Sequence, residues 1–349
     1  MKIHQMLPNY WYGDAIGNCV AEIDRLLKDL GHETEIFADV VHHKLSARNY
    51  KDYAAEADGS WLIYHYSTGS PVNRFALENA HNVILMYHNI TPGEYFDRYN
   101  PEAARGCREA RETLAQFAGK VKFAMAGSAY NEEELKSLGF EKTAITPYIL
   151  NFDKIKPSGK NPFNDGKTNI LFVGRVAPNK RHEDMIAAYH YYRDFINQDS
   201  RLVFVGGYDQ DGLYYKSLQN LIEIMNLGDV VFTGPVPDEI LGDYYQSASV
   251  FLCLSRHEGF CIPLLEAMKF RIPVVALGAT GVNYTMGDAG IKLKEIRPNE
   301  IAEIIGLLDK DAAMREKVIQ TQFGRLGYFA RDKMAANFKR VLSIALNGG

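Results

Sequence analysis

The chain is short of the features that would fix its surroundings at once. Its 349 residues hold only four cysteines, Cys19, Cys107, Cys253 and Cys261. They form no CxxC pair and do not alternate with histidine at zinc-ligand spacing, so the expectation is no metal site and reduced thiols in a cytosolic protein. No stretch reaches the roughly 18 apolar residues that a membrane span needs. The opening MKIHQMLPNYWYG lacks the apolar core of a secretion signal. An excess of one charge is missing too. The formal net charge is −4; residues 1–150 carry 15 basic and 20 acidic side chains, and the remainder 24 and 23. No bulk field favours nucleic acid, and neither half is a polybasic membrane surface. Solenoid-length repeats and low-complexity tracts are also lacking.

What is present is a rhythm. With 46% hydrophobic residues the chain is long enough for two cores. In the second half, short β-branched runs (NILFVG, RLVFVGG, VVFTG, VFLCLS, PVVALG) alternate with helical stretches such as KRHEDMIAAYHYYRDFI and PLLEAMKF. Strands that are apolar throughout suit a parallel sheet covered on both faces, and the alternation predicts a doubly wound α/β domain. The first half repeats the theme with GSWLIYHYS, NVILMYHN, VKFAMAGS and TAITPYILN as strands. Asn131 and Glu134 have capping-box spacing and predict a helix start. The stretch FDKIKPSGKNPFNDGKT reads as an interdomain hinge. The expected division is 1–155, 156–325 and a C-terminal helix, 326–349, that returns to the first domain. Two such sheets would face each other across a cleft, with motifs at their strand ends.

The sharpest motif is CLSRHEGFCIPLLEAMKF, with Glu258 after a buried strand and Glu266 just inside the next helix. Pro263 suits the first helical turn. The N–H groups of Gly259, Phe260, Cys261 and Ile262 would then lie beside the positive end of the helix dipole, an arrangement that favours phosphate. Upstream, LFVGRVAPNK ends a strand at Gly174 and supplies Arg175 and Lys180, a guanidinium and an ammonium suited to phosphate oxygens. Taken alone, each piece also reads as a helix-start acid or a solvated loop charge.

In order and together, GRVAPNK and EGFCIPLLEAM resemble the retaining glycosyltransferases of family 4, the group 1 glycosyltransferases, and most of all bacterial surface-polysaccharide mannosyltransferases. The resemblance extends to YWYGDAIGN, YHNITP and VFTGPVPDEIL. It implies a GT-B fold of two facing Rossmann-like domains with a C-terminal helix crossing back. By the same resemblance, Glu258 would touch hydroxyls of the transferred sugar and Glu266 those of the ribose. Arg175 and Lys180 would hold the diphosphate, with Gly174 and residues 259–262 lining phosphate and sugar. Val236 would meet the base, His88 would sit over the reacting sugar, and the loop from Gly13 to Gly17 would close from the first domain. Cys261 and Arg271 stand where glycine is common in relatives, and Asp14 where a second loop glycine is. Asp14 would repel a diphosphate, so it joins His65 and Ser67 as candidate acceptor contacts. Arg105, Arg108 and Arg111 form a basic helical stripe suited to an acceptor phosphate or anionic lipid, or simply a solvated face.

The resemblance thus implies transfer of a sugar from a nucleotide-diphospho-sugar, with retained configuration and no metal or other cofactor. GDP-mannose is mildly preferred over UDP-sugars as donor, and a glycan or lipid-linked molecule is the expected acceptor. The expected location is the cytoplasm, with peripheral contact at the inner face of the membrane. Three alternatives stay open: a nucleotide-sugar 2-epimerase of the same fold, a phosphorylase, and a catalytically silent nucleotide-binding partner.

Overall fold

The computed structural model of the chain describes residues 1–348. These divide into two compact units. The first holds Met1–Glu94, Glu102–Leu150 and Phe329–Gly349; the second holds Tyr95–Pro101 and Asn151–Tyr328.

Seven parallel strands make the sheet of the first unit: β1 (Lys2–Tyr10), β2 (Ile36–Val41), β3 (Arg48–Asn49), β4 (Ser60–Tyr66), β5 (Val83–Tyr87), β6 (Phe123–Ala126) and β7 (Thr143–Ile145). Their spatial order is β3-β2-β1-β4-β5-β6-β7, so the winding reverses between β1 and β4. Residues of β4 and β5 are buried almost without exception, as the continuous apolar runs require. Around the sheet lie α1 (Ala15–Asp29), α2 (Pro71–Asn79), α3 (Pro101–Ala115) and α4 (Ala129–Ser137).

The second sheet has six parallel strands, β8 (Thr168–Val173), β9 (Ser200–Val205), β10 (Val230–Phe232), β11 (Val250–Cys253), β12 (Val274–Leu277) and β13 (Ile291–Leu293). The order β10-β9-β8-β11-β12-β13 places the reversal between β8 and β11. Its helices are α5 (His182–Phe195), α6 (Leu213–Ile224), α7 (Asp238–Ser247), α8 (Ile262–Lys269), α9 (Thr280–Met286), α10 (Pro298–Lys310) and α11 (Ala312–Tyr328). A break at Phe329–Ala330 separates α11 from α12 (Arg331–Leu346). α12 belongs to the first unit, where Arg331 donates to Glu22 of α1 at 2.7 Å and Asn337 to the carbonyl of Ile145. Among the described residues no helix is long and apolar enough to cross a membrane.

One local expectation needs correcting. α4 starts two residues before Asn131: the cap is Ser128, whose hydroxyl accepts from the Asn131 N–H, and Asn131 is buried in the first turn. Glu134 reaches sideways to Tyr87 and Arg111 instead of back to the cap. The stretch expected as the hinge begins just past the boundary between Leu150 and Asn151, and it is bonded to the second unit. Ser158 and the N–H of Gly159 bond to the Asp243 carboxylate in α7, and the backbone of Pro157 lies so close to Gly242 that a Cβ there would meet it at 2.7 Å.

Candidate functional site

Open α/β sheets bind ligands beyond the carboxyl ends of their strands where the winding reverses. In the second unit that point lies between β8 and β11, and the loops that follow these two strands carry Gly174, Arg175, Lys180, Glu258 and residues 259–262. Asn179 stitches the loops together. Its amide donates to the carbonyl of His257 at 3.0 Å, and its own carbonyl accepts from the Arg256 N–H at 2.9 Å. Close packing of β8 on β9 sets the first loop. Gly206, at φ +145°, lies against the Gly174 carbonyl, where any Cβ would collide.

Lys180 and Glu258 meet in this stitched corner, Nζ to Oε1 at 2.5 Å. Their side chains are 20% and 10% exposed, so the pair is largely shielded from water. Burial pulls the Lys180 ammonium down, but the adjoining Glu258 carboxylate outweighs it and holds the group above its ordinary value. The Glu258 backbone is pinned as well: its N–H donates to the Thr280 hydroxyl at 2.9 Å, and its carbonyl accepts from the Gly281 N–H. A Cβ at Gly281 would run into the Gly259 carbonyl, so only glycine lets α9 approach this loop. Arg175 is exposed on the first loop, and Val236 is half-buried between β10 and α7.

Beyond the turn, α8 opens at Cys261, whose φ of +70° is left-handed, with Pro263 in the first turn. Glu266 lies one turn in and accepts from the Tyr245 hydroxyl at 2.6 Å. Burial raises its carboxyl to about 7, against the pull of the Tyr245 hydrogen bond. The turn also returns Cys261 to Cys253 at the end of β11. One ligand atom each from Cys253, Glu258 and Cys261 all lie within 4.8 Å of one another. The sequence reading missed this pair, because a separation of eight residues matches no thiol motif; only the strand-turn-helix return closes it.

In the first unit, Gly13 adopts φ +79° in the loop after β1. Gly17 is required for packing, since a Cβ there would collide with the Trp11 carbonyl. Asp14 precedes α1 in an extended conformation and is exposed. Ser67 is half-buried after β4, while Arg105 and Arg108 are exposed on α3. Arg111, the third member of the stripe, donates to the Ile90 carbonyl at 2.7 Å and pairs with Glu134, so it serves the fold.

His65 and His88 are both buried. His65 was expected to face an acceptor; instead it is 0% exposed and holds His88 from within the sheet. Its Nε2 lies 3.0 Å from Gln5 Oε1, and its Nδ1 2.9 Å from His88 Nε2. The remaining nitrogen of His88 lies 2.9 Å from the Tyr148 hydroxyl. Burial lowers His65 well below its ordinary value and His88 to about 3, so both rings are neutral. Gln5 donates its amide to the Val20 carbonyl, which leaves its oxygen to accept. The donors therefore all run one way: Tyr148 to His88, His88 to His65, His65 to Gln5. Neither ring nitrogen of His88 is left for a ligand.

The family described as Glycosyl transferases group 1 matches residues 153–323, close to the bounds of the second unit. Among curated proteins, the O-antigen chain mannosyltransferase B of Escherichia coli is 31% identical over 136 residues, which is 38% of this chain and 34% of that protein. The matched segments span about a third to two fifths of the length of the first curated relatives. Among solved structures, sucrose-phosphate synthase from Thermosynechococcus elongatus matches with a TM-score of 0.79 over 100% of both chains at 18% identity. The Anabaena protein HepE, solved in complex with UDP-glucose, matches with a TM-score of 0.71 at 17% identity over 98% of this chain and 99% of that one. At such identities the likeness speaks for the fold, GT-B with two Rossmann-like units.

Proposed function

With residues 153–323 belonging to the group 1 glycosyltransferases, we propose that the protein transfers a sugar from a nucleotide-diphospho-sugar to a hydroxyl acceptor, with retention of configuration and without a metal. The observation that carries this reading is the shielded Lys180–Glu258 pair at the winding reversal, with Glu258 on the loop that leads into the helix carrying Glu266. Before donor binds, each charge satisfies the other. A diphosphate beside α8 supplies a stronger partner for Lys180, with Arg175 at hand, and releases Glu258 to accept from sugar hydroxyls. Glu266 accepts from the paired hydroxyls of the ribose. The helix terminus and the two cations stabilise charge that grows on the departing diphosphate, which is where electrostatic preorganisation contributes most.

In the transfer step the bond between the anomeric carbon and the β-phosphate oxygen breaks as the acceptor oxygen attacks the same face. The acceptor's proton passes to the departing phosphate oxygen, so no protein carboxylate becomes glycosylated. His88, with both ring nitrogens engaged, would act through its main chain and the shape of its ring. The O-antigen relative supports a mild preference for mannose, and GDP-mannose is the first donor to try.

The test is a transfer and donor-hydrolysis screen over GDP-mannose and UDP-linked glucose, galactose and N-acetylglucosamine, with products read by NMR. An α-linked product from an α-linked donor is expected. A β-linked product would overturn the retaining assignment, and conversion of the nucleotide sugar alone into its 2-epimer would replace the reading with isomerisation.

A further inference from the structure

We propose that Cys253, Glu258 and Cys261 form a binding site for a thiophilic divalent cation of the zinc class, and that filling it shuts the sugar-donor site. The second half rests on the transfer reading above; the first does not.

The three side chains come from a strand end, a turn and a helix cap, and their ligand atoms already lie within 4.8 Å of one another. Zinc holds thiolate sulfur at about 2.3 Å and carboxylate oxygen at about 2.0–2.2 Å, so a tetrahedral site has ligand–ligand edges of about 3.3–3.8 Å. The cluster needs to contract by only about 1 Å to reach that geometry. Two sulfurs and one oxygen select a borderline-soft ion; magnesium and calcium prefer oxygen throughout. Charge also balances. Two thiolates and one carboxylate against a dication leave one negative charge, which the Lys180 ammonium beside Glu258 cancels. Binding releases the two thiol protons and changes no oxidation state.

Position 261 points the same way. A cysteine with φ of +70° is uncommon outside glycine-like positions, and such conformations persist where the surroundings impose them. Here the left-handed turn starts α8 while bringing the residue's sulfur to Cys253. Cys253 is 0% exposed and Glu258 9%, so the ion would be screened from competing water. A cation there takes Glu258 as a ligand and fixes the turn of residues 259–262, removing the carboxylate and the backbone that the donor needs. On the transfer reading proposed above catalysis needs no metal, so this ion would inhibit.

The experiment is a cobalt titration of the reduced full chain under anaerobic conditions, followed through the thiolate-to-cobalt charge-transfer band, with zinc as competitor. The expected result is one equivalent per chain, displaced by zinc, with the band lost in Cys253→Ser and in Cys261→Ser. Zinc at saturation should lower transfer by about a hundredfold, the scale of one lost electrostatic contact. Cys253→Ser should keep basal transfer and escape the inhibition, and a chelator should restore the native chain. If the serine variant fails to fold, Cys253→Ala and the native titration decide. A folded chain with titratable thiols but no charge-transfer band overturns the site. Equal zinc inhibition of native and Cys253→Ser overturns its link to the donor loop. A cobalt band in a chain that turns over no nucleotide sugar upholds the site and counts against the transfer reading alone.

Discussion

Glu258 and Glu266 are both shielded acids, yet their surroundings prescribe different behaviour. Glu258 is matched by an ammonium at 2.5 Å, whereas Glu266 has a phenol and a carboxyl raised to about 7. If Glu266 holds the ribose as proposed, only its ionised form would accept from both hydroxyls, so nucleoside diphosphate affinity should rise by about tenfold per pH unit up to 7 and then level off. Glu266→Gln should abolish that slope in calorimetry and weaken nucleotide and nucleotide sugar alike. Glu258→Gln should spare free nucleotide and weaken the sugar-bearing donor. Equal losses for both ligands in both variants would contradict the assignment. The sign for folding is the reverse. Because the folded value is raised, the group's contribution is complete below the ordinary carboxylate range and is lost as pH rises through about 7. The thermal midpoint of Glu266→Gln should therefore gain on that of the native chain between pH 5 and pH 8. Lys180→Ala should cut turnover by two to three powers of ten, about the loss for one electrostatic stabiliser. EDTA should leave native turnover undiminished; abolition by EDTA and rescue by magnesium would sink the metal-free mechanism.

Elements were legible where a single physical rule governs them. The buried strands of both sheets announced themselves as unbroken apolar runs, because both faces are covered. Ends were less legible. Ser128 and Asn131 are both capable caps, and only the turn after β6 decides for Ser128. The site divides in the same manner. The corner formed by Lys180 and Glu258 follows from strand-end placement, and the half-buried Glu266 from the helix start after it. The His65–His88–Gln5 chain does not, since it joins two strands and the residue after a third, all distant in sequence, and the Cys253–Cys261 approach depends on a left-handed residue. That residue offers an element-scale test. Cys261→Gly removes the Cβ penalty of a positive φ, worth roughly 1 kcal/mol, and should leave α8 at least as stable despite losing the sulfur's packing. A fall of more than about 2 kcal/mol in a urea titration would mean that the sulfur contacts, not the turn, hold this helix start.

At the scale of the whole molecule, the first unit is assembled from chain segments on both sides of the second. Its Glu22 carboxylate is 1% exposed and shared by Arg25 and by Arg331 of α12. Arg331→Ala leaves part of that buried charge unpartnered. Since the guanidinium is itself 47% exposed, the loss should be about 1–2 kcal/mol, below the range for a fully buried pair. Removal of residues 329–349 should lower the stability of the first unit much further, because Phe338, Val341 and Leu342 are buried there. Fragment proteolysis along a denaturant series would show which unit opens first. A loss confined to the second unit would contradict the packing of α12.

The same arrangement sets a clock on biosynthesis. Roughly 180 residues separate Leu150 from Arg331, and at a ribosomal rate of about 5–20 residues per second that is a delay of about 10–35 seconds. During it the nascent first unit waits with the seat of α12 bare and Glu22 without its distant guanidinium. The second unit, contiguous from Asn151 to Tyr328 apart from one short earlier segment, can mature meanwhile. The half translated first is thus the half finished last, and until α12 arrives its open apolar seat is a natural target for a holding chaperone.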